Sequence, residues 1–247
     1  ALPIFQKGGM ELSSIRCFYE DESGTLWIGG YHGLVEYNSK SQKHQTHYWD
    51  RGGDRIGNDN IYTIYPDLTD QTKLWLGSEG GGLVQFDKRT KEFKSINLNI
   101  DNYSPQYGHF VSTLYMDNEN LLWIGSHLGL LVYHTKTKNI EVVKLGNPLE
   151  KNTNQSQVTA LFEDSYSNLW VGTENMGLFQ INKRDKKVVK NFRSSSSSIS
   201  SNSIKSIMMD SKNRLWLGTR NGLNRFDYLS NEFETFYQGD GLPNDVI

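Results

Sequence analysis

One short motif, Leu-Trp-apolar-Gly followed within a few residues by Gly-Leu, returns five times in this chain of 247 residues and constrains how it can fold. It stands at Leu26-Trp27-Ile28-Gly29 with Gly33-Leu34, Leu74-Trp75-Leu76-Gly77 with Gly82-Leu83, and Leu122-Trp123-Ile124-Gly125 with Gly129-Leu130. It stands again at Leu169-Trp170-Val171-Gly172 with Gly177-Leu178 and at Leu215-Trp216-Leu217-Gly218 with Gly222-Leu223. Successive tryptophans are 48, 48, 47 and 46 residues apart. A fixed period of that size marks a repeat architecture, in which each unit buries its apolar face only by stacking on a neighbour.

The flanks repeat as well. An apolar run closed by Asp precedes each motif: Ile15 to Asp21, Ile61 to Asp67, Val111 to Asp117, Val158 to Asp164 and Ile204 to Asp210. A polar turn joins that run to the Trp strand, a small-residue loop follows, and two further apolar or aromatic stretches complete the unit, as in Arg225-Phe226-Asp227 and Glu232 to Phe236. Runs of four to seven residues rich in Val, Ile, Trp, Tyr and Phe and bounded by turn residues read as strands and leave no room for helices. The expected fold is all-β, a β-propeller of four-stranded antiparallel blades. Its repeats cover about 11–49, 58–98, 108–145, 156–192 and 202–237, and 241–247 reads as the start of a sixth. The motif Trp is expected to fill the space between blades, and the Gly two residues later to keep the chain thin there.

In repeat two, Asp67 lies eight residues before Trp75 rather than six, which predicts a longer first turn over 68–73. Leu2 to Phe5 reads as an outermost strand, and the serine run Ser194 to Ser203 as a surface loop inside the domain despite its linker-like composition.

The unit I/V-x-x-I/L/M-x-x-D, turn, L-W-I/V/L-G-x-x-x-G-L, then an aromatic and Asn or Asp, is similar to the regulator-propeller repeat of gut-bacterial hybrid two-component system sensors. The segments 198–204 and 241–247 resemble that family's lead-in to a new repeat. The resemblance implies a seven-bladed ring of which this chain holds part, in the periplasmic sensor region of an inner-membrane protein. It also implies further blades, an immunoglobulin-like domain and a histidine kinase elsewhere in the same longer chain, with a possible homodimer. The ligand it implies is an oligosaccharide derived from a polysaccharide.

Lys and Arg number 26 against 28 Asp and Glu, a formal charge of −2, so bulk electrostatics favours neither nucleic acid nor an anionic membrane. No apolar run approaches the roughly 18 residues a membrane span needs. Cys17 stands alone and is expected in a strand core, so no disulfide forms within the chain. No cofactor and no metal site is expected.

In a propeller, the loops joining second to third strands share one face with the loops joining blades. Those loops here carry Tyr31, His32, Trp49, Glu79, Tyr107, His127, Glu174, Asn175, Arg220 and Asn221. Arg51, Asn58, Asn60, Tyr103, His109, Asn154 and Gln155 belong to the blade-joining set. Aromatic faces among amides, carboxylates and an arginine suit sugars, which stack their C–H faces and bond through hydroxyls. The same residues read one at a time are ordinary solvated loop positions.

Two other readings stand beside the sensor: a protein-interaction or dimerisation scaffold, and a propeller polysaccharide lyase or hydrolase using Glu79, His127, Glu174 and His32. No Gly-x-Ser-x-Gly, His-Glu-x-x-His or phosphate-cradling motif supports catalysis. His44 and His47 have a ligand-like spacing but are expected on a solvated edge strand, facing opposite sides. The Asp that opens each first turn recurs in all five units, which fits a scaffold role better than a single catalytic one.

Overall fold

The computed structural model describes residues 14–31, 33–49, 60–98, 110–146 and 156–246. Leu2 to Phe5, His32, Arg51, Asn58, Tyr103, Tyr107, His109, Asn154, Gln155 and Ile247 lie outside the described residues. Each repeat forms one four-stranded sheet with its strands in sequence order. The first is β1 Ile15–Glu20, β2 Thr25–Gly30, β3 Gly33–Asn38 and β4 Lys43–His47; the second is β5 Asn60–Pro66, β6 Lys73–Glu79, β7 Gly82–Asp87 and β8 Phe93–Ile96. The third holds β9 Val111–Met116, β10 Leu121–Ser126, β11 Gly129–His134 and β12 Ile140–Val143. The fourth holds β13 Val158–Glu163, β14 Leu169–Thr173, β15 Leu178–Asn182 and β16 Lys187–Phe192, and the fifth β17 Ile204–Met209, β18 Leu215–Thr219, β19 Leu223–Asp227 and β20 Glu232–Phe236. A 3-10 turn, Gln238–Asp240, follows. The chain divides into two compact units, 1–122 with 134–138 and 123–133 with 139–247, the division falling within the third sheet.

In both units the turn Asp organises its blade. Asp21 Oδ1 accepts the backbone N–H of Ser23 and Thr25, while Oδ2 accepts Trp27 Nε1 at 2.9 Å. Asp164 repeats this with Tyr166, Asn168 and Trp170 Nε1, the last at 2.7 Å, and Asp210 with Lys212, Arg214 and Trp216 Nε1 at 2.8 Å. The third residue after the Asp takes a left-handed conformation, with φ of 79° at Gly24, 64° at Asn120, 62° at Ser167 and 57° at Asn213. Gly and Asn are the residues that tolerate this backbone, which is why they recur there. In repeat two the longer connection closes as two successive turns, Asp70 N–H to Asp67 O and Lys73 N–H to Asp70 O.

Trp27, Trp75, Trp123 and Trp170 are buried, whereas Trp216 of the fifth blade is half-buried. Trp27 is 2% exposed and meets Phe86 of the second blade edge-on at 5.5 Å; Trp170 is 1% exposed and meets Phe226 of the fifth at 5.2 Å. A buried indole removes about 200 Å² from water, at most about 5 kcal/mol of stabilisation each. The Gly two residues on lies where the inner strand of the next blade crosses. A Cβ there would meet Ile61 Cγ2 at 2.7 Å from Gly29, Val111 Cγ1 at 2.6 Å from Gly77, and Ile204 Cγ2 at 2.7 Å from Gly172. The first strands accordingly lie beside one another within each unit, β1 with β5 and β5 with β9, and β13 with β17.

One expectation is corrected. His47 is not on a solvated edge: it is buried, its Nε2 lies 3.0 Å from Glu36 Oε2, and its ring lies between Trp27 and Phe86. The second blade reaches across the end of β4, so an outermost strand has a covered terminus. The serine run is likewise held in place. Ile199 is 2% exposed in the core, Asn224 Nδ2 donates to Ser200 Oγ at 2.6 Å, and Phe233 N–H donates to Ser198 Oγ at 2.7 Å.

Candidate functional site

Pairing between first and second strands skips one residue at the same place in four blades: Arg16, Tyr62, Thr159 and Lys205. Each follows the aliphatic residue that packs on the preceding blade or opens the inner strand. A bulge turns its side chain out of the sheet's alternation and re-aims it. The scaffold residues around it repeat, but the bulge residue is different each time.

In the first unit three blades contribute to one cluster. Arg16 Nη2 donates to the Tyr31 hydroxyl at 2.6 Å, and its guanidinium lies 4.9 Å from the Tyr31 ring centroid and 5.2 Å from that of Tyr62. Tyr62 donates to Glu79 Oε2 at 3.2 Å, Asn60 Nδ2 reaches the same oxygen at 3.4 Å, and the Phe110 ring packs edge-on to Tyr62 at 4.8 Å. Hydrogen bonding with Tyr62 and Arg16 lowers the Tyr31 phenol below its ordinary value. Burial, together with its bond to Tyr31 and the Glu79 charge, pushes the Tyr62 phenol up to about 12.

The second unit holds a charged cluster. Glu174 Oε2 lies 2.7 Å from Lys205 Nζ, and Glu174 Oε1 lies 2.7 Å from Arg220 Nη2. Ser156 Oγ donates to Asn175 Oδ1 at 2.5 Å, and Asn221 Nδ2 donates to Ser200 O at 3.3 Å.

Of the residues singled out in the sequence, the structure thus joins Tyr31 with Glu79 through Arg16 and Tyr62, and Glu174 with Arg220. His127 is exposed on the loop after β10. Trp49 is placed differently from an open loop aromatic: it stacks on Phe93 with ring centroids 6.3 Å apart and packs against the core of the first two blades. His32 and Tyr107 lie outside the described residues. Arg16, Tyr62 and Lys205 were not singled out. Their signal was a polar or aromatic residue immediately after the first aliphatic of an inner strand, where alternation alone predicts nothing special. Among the described residues no three His, Cys, Asp or Glu side chains are grouped to hold a metal ion.

The family model described as "Two component regulator propeller" matches residues 9–32, 153–175 and 198–221. Histidine kinase P4 of Formosa agariphila is 25% identical over 212 residues, which cover 66% of this chain and 15% of that protein. The extracellular domain of the hybrid two-component system BT3049 of B. thetaiotaomicron superposes with a TM-score of 0.60 at 22% identity, covering 94% of this chain and 41% of that one. Virginiamycin B lyase of Staphylococcus aureus superposes with a TM-score of 0.68 at 13% identity, covering 91% of this chain and 70% of that one. The chain therefore spans well under half the length of the signalling relatives it matches. No helix among the described residues is long and apolar enough to cross a membrane. Repeat spacing and blade geometry agree that this chain is built of β-propeller blades, and three of its segments match the two-component regulator propeller model.

Proposed function

We propose that this chain is a non-catalytic ligand-sensing segment in the periplasmic region of a longer inner-membrane sensor kinase, and that its ligand is an oligosaccharide released from a polysaccharide. The observation that carries the reading is the contrast within each repeat. Asp, Trp and Gly recur for packing, while the bulge and the adjoining loops present Arg16, Tyr31, Tyr62 and Glu79 in one unit and Glu174, Lys205 and Arg220 in the other. Aromatic faces beside planar polar groups are what sugar rings and hydroxyls require. Further blades, an immunoglobulin-like domain and the kinase of the same longer chain are its proposed partners, acting as a homodimer. Signalling then requires that the ligand bind two arrangements of that assembly with different affinity.

The test is calorimetry against neutral and acidic oligosaccharides with chromatography of the same samples. Saturable binding without shortened products is expected, weakened about tenfold or more by Arg16→Ala or Tyr62→Ala, as loss of a charged hydrogen bond or a stacking face entails. Product formation, or no binding to any saccharide, overturns the reading.

A further inference from the structure

The fourth and fifth blades build a site of one charge sign beyond what their own contacts neutralise. Glu174, on the loop after β14, is the carboxylate that pairs, among the described residues, with two cations of the fifth blade: Lys205 at the β17 bulge and Arg220 on the loop after β18. Each cation takes a different oxygen at 2.7 Å, so their donors are spaced for one planar or tetrahedral anion. Both remain accessible, the Arg220 side chain being 62% exposed and that of Lys205 31%. Arg220 is also fixed through its backbone, whose N–H donates to Ser203 O at 3.2 Å. Among the described residues, the same loops and the β13 bulge also present the neutral groups Asn175, Asn221 and Thr159, bonded to Ser156, Ser200 O and Ile204 O. Asp245, whose backbone O accepts Gly222 N–H, has its carboxylate taken by Gln238 N–H at 2.6 Å.

We propose that Lys205 and Arg220 form an anion subsite for the carboxylate or sulfate of an acidic sugar residue, and that Glu174 occupies it in the absence of ligand. The inference rests on the oligosaccharide reading and narrows its ligand class to saccharides bearing a negative group. Binding exchanges one carboxylate for another anion. Glu174 therefore competes with the ligand, while a neutral sugar would instead use Glu174 as an acceptor.

This gives opposite signs for two kinds of variant. Lactose, lactose 3′-sulfate and a glucuronyl-N-acetylglucosamine disaccharide are titrated into the wild type and into Glu174→Gln, Lys205→Ala and Arg220→Ala. The two charged disaccharides are expected to bind at least tenfold tighter than lactose, more weakly as salt rises. Glu174→Gln strengthens that binding about tenfold, and either cation variant weakens it by a similar factor. A gain in affinity cannot arise from misfolding. The sulfate and uronate arms identify which anion the site prefers. Equal affinity for lactose and its sulfate, or weaker binding by Glu174→Gln, would overturn the subsite and leave a sensor of neutral sugars standing. Absence of binding by all three disaccharides overturns the subsite, while the sensor reading falls only if the wider set of neutral and acidic oligosaccharides also fails to bind.

Discussion

Lys88 of the second blade donates to Oδ2 of Asp21 in the first at 3.0 Å, the same oxygen that holds Trp27. The fifth blade does the equivalent to the fourth: Tyr228, like Lys88 the first residue after a third strand, donates to Asp164 Oδ2 at 3.0 Å beside Trp170. One carboxylate thus closes its own turn, fixes its own indole and latches the next blade. In the fifth blade Arg214 Nε takes the latch position on Asp210 at 2.6 Å.

The latch can be separated into its parts. Tyr228→Phe keeps the ring in the aromatic cluster and removes one hydrogen bond, so it is expected to cost about 1 kcal/mol in urea unfolding. Asp164→Ala strands the buried indole donor of Trp170 and the half-buried phenol of Tyr228 and opens the turn, so about 3 kcal/mol or more is expected. Equal costs for the two would show that the phenol, and not the carboxylate, is the centre.

Gly172→Ala places a methyl group 2.7 Å from Ile204 Cγ2 across the blade interface. Overpacking of this kind costs about 1–3 kcal/mol. Ile204→Ala removes the clashing methyl, so in the double variant the glycine substitution should cost less than it does alone. Strict additivity in a thermal or urea series would argue against direct contact.

Acid should act through Asp21. Burial alone would raise its carboxyl, but bonds from Ser23, Trp27 and Lys88 outweigh that and hold it well below the usual carboxylate range. A depressed folded value stabilises fully above the unfolded value of about 4 and is lost as pH falls through the folded one. Asp21→Asn should therefore be less stable than wild type at neutral pH, and the gap should narrow in strongly acidic buffer. A gap independent of pH would assign the loss to geometry rather than charge.

The blades were legible in the sequence because their cause is local and repeated. Trp27, Trp75, Trp123, Trp170 and Trp216 recur at one strand position, an Asp opens each first turn, and a residue tolerant of positive φ stands three positions later at Gly24, Asn120 and Asn213. Strand period, turn chemistry and the thinness required at Gly29, Gly77 and Gly172 are all consequences of neighbours a few residues apart or one period away. The site was only partly legible. Glu174 and Arg220 could be named from their loops, but Lys205, Arg16 and Tyr62 sit inside apolar runs, where simple alternation hides the extra residue of a bulge.

His47 and Trp49 illustrate the remaining gap. Both lie at the end of an outer strand, a place the sequence marks as exposed, and both are covered because the second blade brings Phe86 and Phe93 over them. The sequence by itself determined the repeat, the four strands of each blade and the carboxylate that braces each turn, because short-range hydrogen bonding and side-chain size set them. Only the tertiary structure decided which carboxylate meets which cation, which bulge side chains converge and which strand ends are buried. Those depend on how one twisted sheet stacks against the next, a geometry that no single repeat contains.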